Sequence, residues 1–112
     1  MIVKTGPVAF RITITSVAES QLHALSAHEQ RIVETAVVAR LRNQPSTPTR
    51  AIKRLRPNPL AAFELRAGDL RVRYNVDVEE SEVVLLIVGR KAGNTLIVGD
   101  EVFYGHQEDP AE

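Results

Sequence analysis

The chain has 112 residues, of which 44% are apolar and 25% charged, and its formal net charge is zero. These values are typical of one soluble globular domain with its own core. The absence of cysteine excludes disulfides, a thiolate nucleophile and Cys-ligated zinc. The first residues, MIVKTGPVAF, lack the apolar stretch of a signal peptide, and the longest apolar run, residues 83–88, is too short to span a membrane. We therefore expect a cytoplasmic protein without membrane contact, folded as a single domain over residues 1–112.

The N-terminal part of the chain predicts a strand followed by a helical hairpin. Residues 8–15 alternate between apolar and polar positions, as in a half-buried strand. Two Ser-x-x-Glu capping boxes follow, at residues 16–19 and 26–29. The apolar residues after each box recur at helical spacing, and the prolines from Pro45 onwards end the second helix.

The zero net charge conceals a strong asymmetry further along the chain. Residues 40–76 hold nine basic residues and two acids, whereas residues 77–112 hold two basic residues and nine acids. A concentrated basic segment suits a polyanionic ligand. The alternative interpretation is a solvated surface whose charges balance.

The stretch ELRAGDLRVRY predicts a β-hairpin with a Gly-Asp turn at residues 68–69, because glycine relaxes the backbone sterics at the first central position. In this register Arg66 lies opposite Arg71, and Glu64 lies opposite Arg73. All four charged side chains share one face, since side chains alternate along a strand. Arginines set directly across from each other repel, so an anion bound on this face would relieve the repulsion.

Two further strands are predicted after the hairpin. EVVLLIVGRK is apolar at both parities, which is typical of a buried central strand. NTLIV is a short last strand before a second Gly-Asp turn at residues 99–100, and residues 105–112 are expected to form a mobile tail. The stretch AIKRLRPNP before the hairpin is interpreted as a basic connector. The order β-α-α-β-β-β predicts an α+β fold in which the helical hairpin packs on one face of a small, mainly antiparallel twisted sheet, and the basic face stays open.

The segment AIKRLRPNPLAAFELRAGDLRVRYNVD, followed by VVLLIVGRK, resembles the RelE/ParE superfamily, the toxins of type II toxin–antitoxin systems. The resemblance covers roughly residues 8–98, the core of the domain, and includes the helical hairpin. It implies a RelE-like fold and a cytoplasmic toxin neutralised by a separately encoded antitoxin. Ribonuclease members cleave mRNA, usually in the ribosomal A site and without a metal. The resemblance thus implies a metal-independent endoribonuclease (an mRNA interferase) with mRNA and the ribosome as partners and no cofactor.

The resemblance also suggests residues for RNA cleavage, which needs a base for the 2′-hydroxyl, cations for the pentacovalent phosphate and an acid for the 5′-oxygen. Arg71 matches the family arginine just after the turn. Lys91 follows Arg90 in the basic pair whose second member is usually the catalytic arginine, but a lysine lacks the guanidinium fork. Glu64 is a candidate general base, and the alternative is a static cross-strand salt bridge to Arg73.

Tyr104 and His106 are the candidates for the general acid, the histidine because its pKa lies near neutrality. A histidine that is merely exposed in a polar tail is the alternative. Contacts with RNA phosphates are expected from the basic residues of the connector, the hairpin and the central strand, namely Arg66, Arg73, Arg90, Lys53, Arg54 and Arg56. For Arg66 and for the connector residues, a purely structural or solvated cation is the alternative.

Two other functions remain open. Ribosome-dependent RelE members carry lysines at the positions of Ala62 and Glu64, and their absence favours a ParE-like toxin that inhibits DNA gyrase without RNA cleavage. A catalytically silent interaction module is the third possibility. The expected partner is in each toxin case an antitoxin that contributes a helix or extended segment with acidic and apolar side chains. Nothing in the chain resembles a helix-turn-helix, so we expect no sequence-specific DNA binding by this chain.

Overall fold

The computed structural model describes residues 9–93 and 95–98 together with the backbone of residues 101–104. This part of the chain forms two helices and seven strands, which are β1 Arg11–Ile14, α1 Ser16–His23, α2 Ala27–Leu41, β2 Ile52–Arg54, β3 Phe63–Ala67, β4 Leu70–Asp77, β5 Glu82–Ala92, β6 Thr95–Val98 and β7 Glu101–Tyr104. The predicted α+β class, with a helical hairpin on a mainly antiparallel sheet, is confirmed. The predicted order has four strands rather than seven: NTLIV, which is β6, was predicted as a strand but left out of the order, and β2 and β7 were not predicted.

The long strand β5 is the centre of the sheet, as its apolar sequence predicted. The strand order is β2-β3-β4-β5-β6-β7, and β1 pairs with β5 in parallel. β1 lies beside residues 82–85 of β5, whereas β6 lies beside residues 90–92. One edge of β5 therefore has two different neighbours along its length, and the other edge is covered by β4.

A β-bulge in β5 decides which side chains of this strand face the helices. The register between β4 and β5 shifts after Arg73, which leaves Leu86 as an unpaired extra residue. The alternation of side chains is thereby displaced by one position, and Leu85 and Val88 both lie in the core. Strand β5 has apolar residues at both odd and even positions for two reasons. It is buried, and the bulge changes which of its alternate residues face the helices.

Both helices begin at N-caps, and the first of these lies one residue earlier than predicted. Thr15, rather than Ser16, caps α1, and its side chain accepts a hydrogen bond from the Ala18 N–H at 3.1 Å. The capping box of α2 is confirmed, because Ser26 and Glu29 each accept a 3.1 Å hydrogen bond from the other's backbone N–H. These caps fix where the helical hairpin starts and turns.

The helical hairpin covers one face of the sheet, and the core lies between them. Its buried side chains include Ala18, Leu22, Val33, Val37, Leu41, Leu65, Val72 and Val83. Tyr74 is fully buried among them, and its ring stacks on Phe63 with the centroids 5.5 Å apart. The Tyr74 hydroxyl donates a 2.7 Å hydrogen bond to the Pro45 carbonyl, and burial raises the pKa of Tyr74 well above its ordinary value. Tyr74 therefore joins the β3–β4 hairpin to the loop after α2.

Strand β2 was predicted as a connector and is an edge strand instead. It pairs antiparallel with β3, so that Lys53 lies opposite Glu64 and Arg54 opposite Phe63. Three residues are too few to show a period-2 pattern, and the pairing partner supplies the strand conformation. Within the described ranges, no helix is long and apolar enough to cross a membrane.

Candidate functional site

The β3–β4 hairpin has the predicted turn and register. Gly68 has a φ of +62°, which the first central position of a type II′ turn requires. Arg66 pairs with Arg71, and Glu64 pairs with Arg73. The alternate residues of both strands belong to the core under the helices, so these four charged side chains lie on the opposite face of the sheet. We call this side of β2–β5 the arginine face.

Glu64 lies at the centre of three arginines on this face. Its Oε2 accepts a 3.0 Å hydrogen bond from Arg73 Nε, and its Oε1 lies 3.8 Å from the Nε atoms of both Arg66 and Arg71. The exposed fraction of the side chain rises from 2% for Glu64 and 4% for Arg73 to 15% for Arg71 and 40% for Arg66. The cross-strand salt bridge to Arg73, which the sequence left as the alternative for Glu64, is therefore formed.

Arg71 is held by the backbone of its own turn. Its Nη1 donates hydrogen bonds to the carbonyls of Gly68 at 2.6 Å and of Leu70 at 2.9 Å. Its Nε is buried and has no hydrogen-bond partner within the described part of the chain. Burial lowers the pKa of the Arg71 guanidinium, and the Glu64 carboxylate opposes this shift. With both Nη1 protons used, Nη2 is the amino group that Arg71 can offer to an anion.

Lys91 lies on the same face as Arg71, at the end of β5. Gly89 is opposite Arg71 in the β4–β5 register, and Lys91 follows it by two residues on the same side of the strand. The Lys91 N–H donates a 2.7 Å hydrogen bond to the Asp69 carbonyl. This bond attaches the end of β5 to the turn that holds Arg71.

Gly89 is a residue whose part in this arrangement the sequence analysis missed. A Cβ atom at this position would lie 2.5 Å from the Ile97 carbonyl oxygen and 2.9 Å from Val98 Cγ2. The end of β6 therefore lies directly against the Gly89 backbone on this side of β5, and only glycine leaves room for it. A lone glycine inside an apolar strand was the available signal for such a close approach.

Arg90 and Arg54 lie on the other face of the sheet, on the side of the helices. The Arg90 Nη1 donates a 2.8 Å hydrogen bond to Glu29 Oε2, and this bond, together with one from the Ser26 N–H, lowers the pKa of Glu29. Arg54 stands over the ring of Phe63 at 5.3 Å from the centroid. The structure does not bring these two arginines together with Arg71, and their contacts are structural.

Of the other residues predicted for the site, some lie on the arginine face and others lie elsewhere. Lys53 lies opposite Glu64 and so belongs to the arginine face, while Arg56 lies in the loop after β2. Tyr104 is the last residue of β7, where it pairs with Thr95, and His106 lies outside the described residues. Among the side chains that the structure describes, no three His, Cys, Asp or Glu residues are grouped as a metal site would require.

The fold of the chain, a helical hairpin on one face of a mixed sheet, matches solved structures of RelE toxins. A chain of the toxin–antitoxin complex RelBE2 from Mycobacterium tuberculosis matches with a TM-score of 0.67 and 28% identity, over 80% of this chain and 99% of that one. The archaeal RelE–RelB complex from Pyrococcus horikoshii OT3 has the same fold, with a TM-score of 0.58, 16% identity and coverage of 77% and 99%. No protein-family model and no curated protein matches the chain. The solved structures confirm the predicted RelE/ParE resemblance and support a RelE-like toxin.

Proposed function

We propose that the chain is the toxin of a type II toxin–antitoxin pair and cleaves mRNA, on the ribosome, as a metal-independent endoribonuclease of the cytoplasm. The observation that carries the proposal is the setting of Arg71. This arginine lies on the face away from the helices, across from Arg66 and beside Lys91, and its guanidinium is fixed by the turn. Such a concentration of cations on one face suits the phosphate backbone of RNA.

In the proposed reaction the 2′-hydroxyl of RNA loses its proton to solvent water and attacks the adjacent phosphorus, and the bond from phosphorus to the 5′-oxygen breaks to leave a cyclic phosphate. The arginine face stabilises the negative charge of the pentacovalent state. Arg71 donates a hydrogen bond from Nη2 to the pentacovalent phosphate. The two hydrogen bonds from its Nη1 to backbone carbonyls hold the guanidinium in place before the reaction. Donors that need no reorganisation contribute most to such stabilisation. Arg66, which is more exposed, is suited to a flanking phosphate, and Lys91 adds a second, unforked cation.

The proton for the leaving 5′-oxygen is proposed to come from Tyr104 or His106. Tyr104 ends β7, which pairs with β6, and its phenol can donate a proton. His106 is the second candidate, because a histidine pKa is suited to proton transfer near neutral pH.

The proposed partner is an antitoxin segment with acidic and apolar side chains. The similar structure from Mycobacterium tuberculosis is a toxin–antitoxin complex. A groove of about 720 Å³ runs between α2 and the β3–β4 turn. Its apolar lining includes Ile32, Ala36 and Ala39, and its basic lining includes Arg31 and Arg40. A groove of this composition is complementary to an amphipathic acidic helix.

Charge reversal at Arg31 and Arg40 should weaken binding of the co-expressed antitoxin more than charge reversal at Arg11, an exposed arginine of β1.

Induction of the toxin in a bacterial host tests the ribonuclease proposal. Wild type should arrest growth and generate new in-frame 5′ ends in cellular mRNA. Arg71→Ala should abolish both effects, whereas the matched control Arg11→Ala should retain them. Arrest with intact mRNA and altered plasmid supercoiling would instead establish gyrase inhibition. If the folded wild-type protein causes no growth arrest, the result would favour the third possibility, a catalytically silent interaction module.

A further inference from the structure

Glu64 is a buried carboxylate on the face to which the proposed function assigns RNA, and its surroundings do not suit proton transfer. A general base must come within about 3 Å of the proton that it takes. The Glu64 side chain is 2% exposed, and one of its oxygens is bonded to Arg73 at 3.0 Å. To reach a bound 2′-hydroxyl, the carboxylate would have to give up its 3.0 Å contact with the buried Arg73 side chain, and breaking a buried ion pair is strongly unfavourable.

The position of Glu64 does suit a counter-ion for the arginines around it. Its second oxygen lies at the same distance, 3.8 Å, from the Nε atoms of Arg66 and Arg71. Those two residues are the facing pair of β3 and β4, whose like charges would destabilise the hairpin. A single negative charge between them, in a setting that water barely enters, attracts both more strongly than it would in bulk solvent.

The same contact determines which edge of Arg71 remains available. The turn carbonyls take Nη1, and Glu64 faces Nε. A phosphate that approaches Arg71 therefore meets Nη2, and binding through the Nε–Nη2 fork would have to compete with the carboxylate. Glu64 thus sets both the place and the donor geometry of the cation.

We propose that Glu64 is a positioning residue of the arginine face: it holds Arg71 and Arg66 side by side for phosphate and takes no part in proton transfer. This inference rests on the proposed function for its catalytic consequence. The arrangement of the guanidinium groups by Glu64 can, however, be measured without any RNA cleavage.

The test needs a variant that removes the carboxylate and keeps the fold. Glu64→Gln removes the negative charge of residue 64 and retains an acceptor for Arg73. The double variant Glu64→Leu/Arg73→Met replaces the buried pair with apolar groups of similar size, an exchange that is often neutral or stabilising. Glu82→Gln is the matched control, because Glu82 is a β5 carboxylate that faces Arg11 at the far end of the sheet.

The first readout is the NMR signal of the Arg71 Nε–H group during titration with inorganic phosphate. We expect the double variant to shift and broaden this signal and to change the phosphate affinity by at least about fivefold, as for coupled neighbouring charges. Glu82→Gln should leave both unchanged. An unaltered Arg71 signal and affinity in the folded double variant would overturn the proposal, whether or not the protein cleaves RNA.

The second readout is the single-turnover rate of RNA cleavage across pH. A misplaced Arg71 should slow cleavage by on the order of 10- to 100-fold with the same pH profile, and addition of Arg71→Ala should then cost little more. Two results together would make Glu64 the general base and refute the positioning role. The variant would lose the part of the pH–rate profile in which the rate rises as a base is deprotonated, and adding Arg71→Ala would slow cleavage as much as it does in the wild type. A wild type without cleavage activity would refute the proposed function and leave the phosphate titration to decide the role of Glu64.

Discussion

Removal of the Tyr74 hydroxyl is expected to destabilise the protein by about 1–3 kcal/mol, the cost of leaving a buried acceptor unpaired. The hydroxyl bonds the Pro45 carbonyl at 2.7 Å, and both residues are fully buried. Phenylalanine keeps the ring that stacks on Phe63 at 5.5 Å, so Tyr74→Phe isolates the hydrogen bond. In a domain of ordinary stability, about 5–15 kcal/mol, the variant should still fold.

The same variant should lose its disadvantage in alkaline solution. Burial raises the pKa of Tyr74, so the folded protein keeps the phenolic proton at a pH where the unfolded chain, with a pKa of about 10, releases it. The stability contributed by the raised pKa is complete below pH 10 and falls by about 1.4 kcal/mol for each pH unit above it. Phenylalanine does not titrate. The difference between wild type and variant should therefore shrink by about 1.4 kcal/mol at pH 11.

Urea denaturation at pH 8, 9, 10 and 11, followed by circular dichroism, measures this difference. Lysine and arginine titrate in both proteins, so their contributions cancel in the comparison. A difference that stays constant from pH 8 to 11 would refute a raised Tyr74 pKa. Equal stability of the two proteins at pH 8 would refute a stabilising bond to Pro45.

Three further substitutions test the turn, the sheet and the helix cap. Gly68→Ala should cost about 1–2 kcal/mol because the φ of +62° is strained for alanine, and the urea midpoints of the two proteins measure this cost. Gly89→Ala should cost about 1–3 kcal/mol and expose the β6 amides to hydrogen exchange first, because its Cβ meets the Ile97 carbonyl oxygen at 2.5 Å. Glu29, whose pKa is lowered chiefly by Arg90, should stabilise the fold fully above its unfolded pKa of about 4.3 and cease to do so as the pH falls through the folded value. The advantage of wild type over Glu29→Gln in thermal unfolding should therefore be present at pH 7 and shrink as the pH falls below about 4.3.

The β3–β4 hairpin could be predicted because its information is local. A Gly-Asp pair between two alternating stretches fixes the turn, and the turn fixes which residues face each other. The capping box at Ser26 was equally local. At α1, however, Thr15 and Ser16 are adjacent residues that can both cap a helix, and the sequence pattern did not show which one the chain uses.

The strands and faces that the sequence did not predict depend on distant partners. β2 has three residues and takes its conformation from β3. Because side chains alternate along a strand, Arg90 and Lys91 must lie on opposite faces of the sheet. Which of them faces the helices depends on the bulge at Leu86, and the sequence carries no signal for this bulge. The burial of Glu64 was unpredictable for a related reason. Its strand face is polar, and the carboxylate lies among the guanidinium groups of three arginines on neighbouring strand positions.

The position of Glu64 changes the physical argument for a phosphate site. The sequence suggested that the facing pair Arg66 and Arg71 needs an external anion to relieve its repulsion, but the structure supplies one internally at 3.8 Å from both. Repulsion alone is therefore no longer evidence for a ligand. What remains is an excess of positive charge, because one carboxylate is shared by three arginines, together with a guanidinium that the turn has already fixed. If the proposed function holds, a face that is stable without its ligand can release RNA after cleavage, as repeated turnover requires.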